Sequence, residues 1–333
     1  MTDPHPLESS KYAESGVSSQ SAEDSLDALL KHVLPTREFS ERYPVKADIG
    51  YFANVIDLGN GEGIALGTDG VGSKILVAEM MGKYDTIGID CVAMNVNDLI
   101  CVGAEPLTFV DYVALDKPDE VLMAQLGTGL AEGCRLANCT LSGGETAVVP
   151  ELVHGFDLAG TAVGWVARGD IIDGSRVADG DALIGLASSG PHSNGYTLIR
   201  RLFNNDPVLG AQLVAPTRIY VQSVLALLGA VDVHALAHIT GGGLENLLRM
   251  NSSFRYVVNN PLPVPEAFDW LQRKGDIAPT EMYRTFNMGL GMVIAVAAGD
   301  EARALEVLKQ AGETAQIIGC VAAGKGVTHA ALE

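Results

Sequence analysis

Residues 64–74 read Ile64-Ala-Leu-Gly-Thr-Asp-Gly-Val-Gly-Ser-Lys74, and this stretch decides the fold class. Its apolar start predicts a strand over 64–66, its glycines predict a loop over 67–73, and residues 75–81 have helical spacing. A strand, a glycine-rich loop and a helix in this order form the repeating unit of layered α/β proteins. The stretch therefore predicts an α/β (α+β layered) fold, with loop amides placed to meet an anion.

The same order of elements recurs in the second half of the chain. An apolar strand over 182–186 is followed by the Gly/Ser loop 188–195 and a helix over 196–203. Between the two series, the polar and glycine-containing residues 168–174 interrupt the pattern, as domain connectors do. We therefore predict two domains, one over 26–168 and one over 169–333. A Ser-, Glu- and Asp-rich segment over 1–25 is predicted to form a flexible arm.

Composition limits the class of partner. The chain has 333 residues and carries 22 Lys and Arg against 41 Asp and Glu, for a formal charge of −19. Nucleic-acid grooves and anionic membrane surfaces normally need a basic face, so we expect neither partner. No apolar run reaches the length of a membrane span, and residues 1–10 lack the order of a signal peptide, which predicts a cytoplasmic location. A phosphate ligand would need backbone amides and a divalent cation.

The glycine-rich loop nearly matches a phosphate-binding motif. The pattern G-x-x-x-x-G-K-[ST] is present in residues 67–74 except that Ser73 and Lys74 stand in reversed order. Asp69 lies inside the loop, where a carboxylate repels phosphate unless a divalent cation lies between them. We interpret Asp69 as a magnesium-side residue. The alternative is a strand-to-helix turn that needs glycine only for its backbone angles.

A second group of oxygen-bearing side chains lies on the next predicted helix. Residues 86–89 are predicted to form a strand, Asp90 to cap the helix that follows, and Asn97 and Asp98 to lie near Asp90 on one face. Such hard oxygen ligands suit magnesium with nucleotide phosphates. The alternative is that Asp90 is a plain cap and that the other two form a solvated face.

Three further motifs add candidate residues. Ser142-Gly-Gly-Glu-Thr146 is predicted to be a tight turn, whose Glu145 would join Asp69 and Asp98 around one metal. Ser188 to Gly195 places His192 at a helix N-terminus, where it is either an acid–base group or a structural histidine. Thr240-Gly-Gly-Gly-Leu244 supplies glycines that let the backbone approach a ligand.

Taken together, these motifs resemble the phosphoribosylformylglycinamidine cyclo-ligase (aminoimidazole ribonucleotide synthetase) family nearly end to end. The stretches that carry the resemblance are Tyr12 to Val17, Gly67 to Lys74, Asp85 to Asp90, Asn97 to Pro106, Gly143 to Thr146, Ser189 to Tyr196, Ala215 to Arg218, Ile239 to Gly243 and Met282 to Asn287. The element Asp-x-x-x-x-Gly-Ala-x-Pro over 98–106 marks the wider ATP-binding superfamily.

The resemblance implies ATP-dependent ring closure of formylglycinamidine ribonucleotide to 5-aminoimidazole ribonucleotide in purine biosynthesis, with ATP and Mg²⁺ as cofactors. It implies a homodimer in which the N-terminal sheets of two subunits pair into a barrel, and a C-terminal mixed sheet with helices. By resemblance, the metal is held by Asp69, Asp90, Asp98 and Glu145; ATP by Asp69, Gly70, Val71, Gly72, Lys74, Asp90 and Asn97; the ribonucleotide by Ser189, Gly190, His192, Ser193, Asn194, Thr240, Gly241 and Gly242; and protons are moved by His192 and Lys31.

Departures and alternatives accompany this resemblance. Residues 45–54 contain one glycine where many relatives have a glycine-rich lid, and 148–151 lack an acid that many relatives have. Selenophosphate synthetase normally uses a reactive cysteine near its N-terminus, whereas no cysteine here precedes Cys91. Thiamine-monophosphate kinase would not need the second-domain motifs. A nucleotide-binding module that senses ATP without turnover is the alternative from another class.

Overall fold

Two mixed β-sheets carry the fold in the computed structural model, which describes residues 19–46 and 50–332. The first sheet has the strand order β1-β2-β5-β3-β4. Its strands are β1 (Asn54–Asp57), β2 (Glu62–Gly70), β3 (Glu105–Leu115), β4 (Thr140–Val148) and β5 (Phe156–Ala167). Neighbouring strands are antiparallel except for β3 and β4, which are parallel.

The second sheet has the strand order β11-β8-β10-β6-β9-β7. Its strands are β6 (Ala182–Ala187), β7 (Val233–His238), β8 (Arg255–Val258), β9 (Leu290–Val296), β10 (Ala315–Ala322) and β11 (Gly326–Thr328). The interior strand β9, which pairs with β6 and β7, is buried along its whole length, as expected for a strand covered on both faces. The predicted α/β class with a mixed C-terminal sheet is confirmed.

Helices cover the sheets and join them. They are α1 (Ser19–Val33), α2 (Lys74–Met81), α3 (Ile87–Cys101), α4 (Glu120–Ala137), α5 (Tyr196–Leu202), α6 (Pro207–Leu213), α7 (Val221–Leu228), α8 (Glu266–Gly275), α9 (Pro279–Thr285) and α10 (Glu301–Gln310). Short 3₁₀ turns occupy Leu34–Glu38, Arg168–Asp170 and Gly243–Arg249. No helix in these described ranges is long and apolar enough to cross a membrane.

Helix α3 is the element that positions the site, because it is buried along nearly its full length between the two sheets. It packs closely on α4 through glycines. A Cβ atom added at Gly88 would lie 2.1 Å from the backbone nitrogen of Leu130, so only glycine allows this approach. The two helices thereby hold the polar residues of α3 at the boundary between the sheets.

Three element predictions are wrong. Residues 86–89 do not form a strand, because α3 already begins at Ile87 with Thr86 at its N-cap, and Asp90 lies inside the first turn rather than capping it. Residues 142–146 are part of strand β4 rather than a tight turn. The apolar run over 107–115 predicts a strand buried on both faces, yet Tyr112 in β3 is 46% exposed.

The domain bounds stay a prediction. The predicted connector at 168–174 does fall between β5, which ends at Ala167, and β6, which begins at Ala182. Residues 1–18 of the predicted arm lie outside the described residues, and 19–25 belong to α1. In the predicted lid over 45–54, residues 47–49 also lie outside the described residues.

Candidate active site

Asp98, His238 and Asp69 come together where α3 meets the end of β7. The Nδ1 atom of His238 lies 2.9 Å from Oδ1 of Asp98 and Nε2 lies 3.4 Å from Nδ2 of Asn97. Because Nδ2 of Asn97 can only donate, Nε2 of His238 accepts and Nδ1 carries the proton that is donated to Asp98. His238 is fully buried, whereas Asp98 is about one-fifth exposed. The histidine therefore fixes a carboxylate that still faces solvent.

Asp69 adds a second carboxylate to this place. Desolvation raises the pKa of Asp69, and the negative charge of Asp98 raises it further. A divalent cation would relieve the repulsion that Asp69 experiences from Asp98. The side chains of Asp69 and Asp98 thus offer two hard oxygen ligands at one site.

A third acid, Asp111, lies in the same cross-strand row as Asp69. Both residues pair in register with Gly160, which stands between them on β5. Directly paired residues point to the same face of a sheet, and two strand spacings separate the pair by about 10 Å. Asp111 lies over Gly144 on the next strand: a Cβ there would come within 2.2 Å of Oδ1 of Asp111. Gly144 is therefore needed to make room for this carboxylate.

Glu145 does not join Asp69. It pairs in register with Tyr112 and so points to the face opposite Asp111 and Asp69. Among the described residues, no three His, Cys, Asp or Glu side chains are grouped as ligands of one metal ion. Glu145 therefore lies across the sheet from Asp69, and the assignment of Asp69, Asp90, Asp98 and Glu145 to one metal stays a prediction.

Asp90 and Lys74 form a buried ion pair. Nζ of Lys74 donates to Oδ1 of Asp90 at 2.8 Å and to the carbonyl of Ala215 at 2.7 Å. The same carboxylate oxygen accepts from the amide and hydroxyl of Thr217, at 2.7 and 2.6 Å. Both charged side chains are completely buried. Both groups thus join α2 and α3 to the loop before α7, and the expected roles of Lys74 at phosphate and of Asp90 at metal and ATP stay predictions.

Asn97 has a similar joining role. Its Oδ1 accepts from the amide of Tyr220 at 3.0 Å, and its Nδ2 donates to the carbonyl of Arg218 at 2.8 Å. Both polar atoms are thereby used within the protein, and Asn97 is buried. The expected contact of Asn97 with ATP stays a prediction.

The glycine-rich loop is shorter than expected, because β2 continues to Gly70. The amide of Gly70 donates to Oδ1 of Asp69 at 2.7 Å, and the amide of Val71 donates to the carbonyl of Leu158 at 3.0 Å. These two amides are already satisfied by the protein. Gly72 has a positive φ of 70° and open space where a side chain would stand, so it is the part of the loop most accessible to a ligand.

His192 lies at the centre of the second glycine loop, with a strained φ of 59° and a fully buried ring. Its Nε2 accepts from the amide of Ser189 at 3.3 Å, so the proton is on Nδ1, which has no hydrogen-bond partner. Burial lowers the pKa of His192 well below its usual value, and the nearby His238 and Lys74 lower it further. The ring is therefore neutral at neutral pH and presents one free N–H donor.

The remaining substrate-side residues divide into two groups. Ser193 is buried and hydrogen-bonds to Thr217 at 3.1 Å, and the hydroxyl of Ser189 donates to the carbonyl of Pro216, so both hold the loop in place. Asn194 has a buried Nδ2 with no partner. The carbonyl oxygen of its side-chain amide lies 3.2 Å from the position of a Cβ on Gly241.

The loop Thr240 to Gly242 directly follows His238, and Gly241 is exposed. The carbonyl of Gly190 accepts from Nδ2 of Asn287 at 2.9 Å, which secures the other side of the loop. The structure thus brings His192, Asn194 and Gly241 together beside the Asp98–His238 pair. Lys31 is exposed on α1, and no contact within the described ranges links it with these residues.

Comparison with known proteins assigns a family to this arrangement. The chain matches the AIR synthase related protein N-terminal domain over residues 50–166 and the corresponding C-terminal domain over 178–331. It is 44% identical over 316 residues to the phosphoribosylformylglycinamidine cyclo-ligase of Pyrococcus furiosus, covering 92% of this chain and 93% of that protein. This chain belongs to the phosphoribosylformylglycinamidine cyclo-ligase family.

Other relatives agree with this assignment. The cyclo-ligase of Methanosarcina barkeri is 42% identical over 309 residues, covering 89% of this chain and 91% of that protein. Among solved structures, thiamine-monophosphate kinase from Stenotrophomonas maltophilia shares the fold with a TM-score of 0.63 and 21% identity, over 90% of this chain and 94% of that one. Hydrogenase maturation protein HypE in complex with ATP has a TM-score of 0.59 and 21% identity, over 78% of this chain and 77% of that one.

Three residues of the candidate active site are not predicted from the sequence. Asp111 stands inside an apolar strand, where a single acid is itself an unusual signal. His238 ends the apolar strand before the Thr240 loop, and only its three-dimensional contact with Asp98 gives it a role. Thr217 lies in a loop whose sequence carries no sign that it would bind the Asp90 carboxylate.

Proposed function

We propose that this chain catalyses the ATP-dependent ring closure of formylglycinamidine ribonucleotide to 5-aminoimidazole ribonucleotide, with release of ADP and phosphate. The observation that carries the proposal is the 44% identity to a cyclo-ligase over 92% of this chain. The reaction makes the protein a ligase of purine biosynthesis that forms a carbon–nitrogen bond. A cytoplasmic location goes with that pathway.

The chemistry requires activation of a poor leaving group. The terminal phosphoryl group of ATP is transferred to the formyl oxygen, and ADP is released. The amidine nitrogen then attacks the formyl carbon, and the carbon–oxygen bond breaks as phosphate leaves. Phosphoryl transfer depends on positioning and charge neutralisation more than on a strong base. We therefore expect this chain to act through hydrogen-bond donors and carboxylates held in fixed positions, and not through a freely titrating group.

Asp69 and Asp98 fit a magnesium ion. Mg²⁺ in nucleotide sites is usually held by one or two carboxylates together with phosphate oxygens, so a cluster of three protein ligands is not required. Burial raises the pKa of Asp69 most and the charge of Asp98 adds to this, so a cation that neutralises the carboxylates is favoured there. When bound, Mg²⁺ would neutralise this pair and the phosphates of ATP together. His238 holds Asp98 in the orientation that this requires.

His192 and Asn194 suit the ribonucleotide. Each has a buried N–H donor without a protein partner, on Nδ1 of His192 and Nδ2 of Asn194. Unsatisfied buried donors cost free energy unless a ligand accepts from them, so both groups favour an oxygen of the substrate. The lowered pKa of His192 favours a neutral donor over a proton shuttle. The role of Lys31 in proton transfer stays a prediction.

The outer face of the first sheet suits a homodimer. Large apolar side chains are exposed there, with Trp165 at 37%, Val110 at 37% and Tyr112 at 46%. Their register places all three on the face turned away from α3. An apolar sheet face of this kind is normally covered, and pairing with the same face of a second copy would cover both. We propose the homodimer on this basis.

The test is a coupled product assay on the purified full chain. With ATP, Mg²⁺ and formylglycinamidine ribonucleotide, we expect ADP together with a diazotisable aminoimidazole. Thiamine monophosphate serves as the control substrate, because the related fold of thiamine-monophosphate kinase is present among similar structures. Formation of ADP only with thiamine monophosphate would refute the proposal. ATP binding without substrate-dependent ADP would favour a sensor.

A further inference from the structure

The end of helix α4 brings two free thiols together. Cys134 lies in its last turn, and Cys139 follows Asn138, which ends the helix with a left-handed φ of 55°. The amide of Cys139 donates to the carbonyl of Cys134 at 3.0 Å, and the amide of Asn138 donates to the carbonyl of Arg135 at 3.2 Å. These two bonds form a Schellman motif, in which the side chains at the positions of Cys134 and Cys139 frequently meet. Here the two thiols are within hydrogen-bonding contact of each other.

We propose that Cys134 and Cys139 are a redox-modifiable dithiol that peroxides or low-molecular-weight disulfides convert into an intramolecular disulfide. With a peroxide, one thiol is oxidised to a sulfenic acid with release of water, and the second thiol displaces a further water to form the S–S bond. With a small disulfide, one thiolate forms a mixed disulfide, and the other displaces the second small thiol. Both routes remove two electrons and two protons from the pair.

The environments of the two thiols give them different roles. Cys134 is buried, at 5% exposure, whereas Cys139 is partly accessible. A hydrogen bond from the thiol of Cys134 lowers the pKa of Cys139, and the same contact raises the pKa of Cys134. Cys139 is therefore the attacking or oxidised sulfur, and Cys134 is the sulfur that closes the bond. The other cysteines are buried in α3 or stand apart on β10.

The dithiol adjoins the proposed substrate side of the molecule. Arg135 and Leu136, which stand between the two cysteines, line a groove of about 530 Å³ together with Ser189 and Thr217. Thr217 is the residue that binds the Asp90 carboxylate. A disulfide would fix the last turn of α4 against this groove. The expected effect of the disulfide on ring closure rests on the proposed function, whereas formation of the disulfide does not depend on it.

Peptide mapping of the intact protein tests the modification directly. The protein is treated with oxidised glutathione or hydrogen peroxide, alkylated, and digested with trypsin without reduction. Trypsin cleaves after Arg135, so the disulfide is expected to join two peptides that separate after reduction. Because Cys91 and Cys101 share the tryptic peptide of Cys134, fragmentation of the joined peptides by mass spectrometry assigns the bonded cysteine. Cys320→Ser should give the same joined peptides, because Cys320 is exposed on β10. Cys134→Ser should instead leave a glutathione adduct on Cys139.

Three outcomes would overturn the proposal on wild-type protein alone: both cysteines alkylated after oxidation, a stable glutathione adduct on Cys139, or a disulfide to another cysteine. Ring-closure activity is measured on the same samples. We expect a several-fold loss on oxidation in wild type and Cys320→Ser, reversed by dithiothreitol, and no change in Cys139→Ser. An inactive reduced protein would reject the proposed function and leave the mapping result valid. Equal rates for the joined and reduced forms would reject the link to the groove.

Discussion

Replacing Lys74 by methionine is expected to cost about 3–5 kcal/mol of the free energy of unfolding. Both members of the Lys74–Asp90 pair are completely buried, with Nζ 2.8 Å from Oδ1. Methionine keeps the apolar length of the side chain and removes the charge. The carboxylate of Asp90 would then remain buried without a counter-charge, and its second oxygen already lacks a hydrogen-bond partner. Hydrogen bonds from Thr217 and Ser193 to the other oxygen would remain.

Equilibrium unfolding in urea measures this change, and a matched lysine supplies the control. Lys83 pairs with Asp85 at 2.7 Å, but both side chains are nearly half exposed. Lys83→Met is therefore expected to cost less than about 1 kcal/mol, because solvent screens an exposed ion pair. The contrast between the two variants isolates the effect of burial on the same type of substitution.

A double variant separates the buried charge from lost packing. Lys74→Met with Asp90→Asn should recover part of the stability that Lys74→Met loses, because a neutral amide needs no counter-charge. The reasoning is refuted if Lys74→Met unfolds at the same urea concentration as Lys83→Met. If that variant also fails to bind ATP, Lys74 contacts phosphate, as the family resemblance implies.

Three further predictions address the site and the outer face. Asp98→Asn should lower kcat by about 100-fold with little change in the thermal midpoint, and equal losses of activity and stability would indicate a structural carboxylate. The pKa of Asp69 is raised in the folded chain, so the ionised carboxylate destabilises the folded state. Protonation of Asp69 therefore stabilises the fold at acidic pH, and this stabilisation is lost as pH rises through the pKa of the folded state. Asp69→Asn should therefore exceed wild type in stability at neutral pH by less than about 1 kcal/mol, and urea titrations should show the difference vanish in acid. Trp165→Glu should convert a dimer into a monomer in light scattering, whereas the control Val208→Glu, at a position that is 74% exposed, should leave the oligomeric state unchanged.

Periodicity in the sequence was enough to predict the main elements that carry the site. The pattern of apolar residues over 91–102 predicts most of α3, and the pattern over 119–137 predicts α4. The start of α3 was missed because residues 86–89 are apolar and short, and such runs suit a strand and a buried helix equally. Only packing against α4 through Gly88 distinguishes them.

The buried pairing of Lys74 with Asp90 could not be predicted for a different reason. The two residues stand 16 positions apart, and Thr217 stands 127 positions beyond Asp90. Their meeting depends on how the second half of the chain packs on α3. A charged residue beside a glycine loop is equally compatible with a phosphate contact and with a buried pair. The two roles differ in whether the charged group still has an unused hydrogen-bonding atom after folding, and only the tertiary structure shows this.

Strand geometry explains why the acids of the first half separate into two sets. Asp69 and Asp111 share a face because both pair with Gly160, whereas Glu145 follows Gly144 by one residue and so points the other way. The pair Gly144-Glu145 therefore serves both faces at once, since the glycine leaves room for Asp111 and the glutamate stands among the exposed apolar side chains around Tyr112. A charge in an apolar interface is tolerated only with a partner. If the outer faces of two copies pair, Glu145 must therefore meet a hydrogen-bond donor or a cation from outside its own sheet.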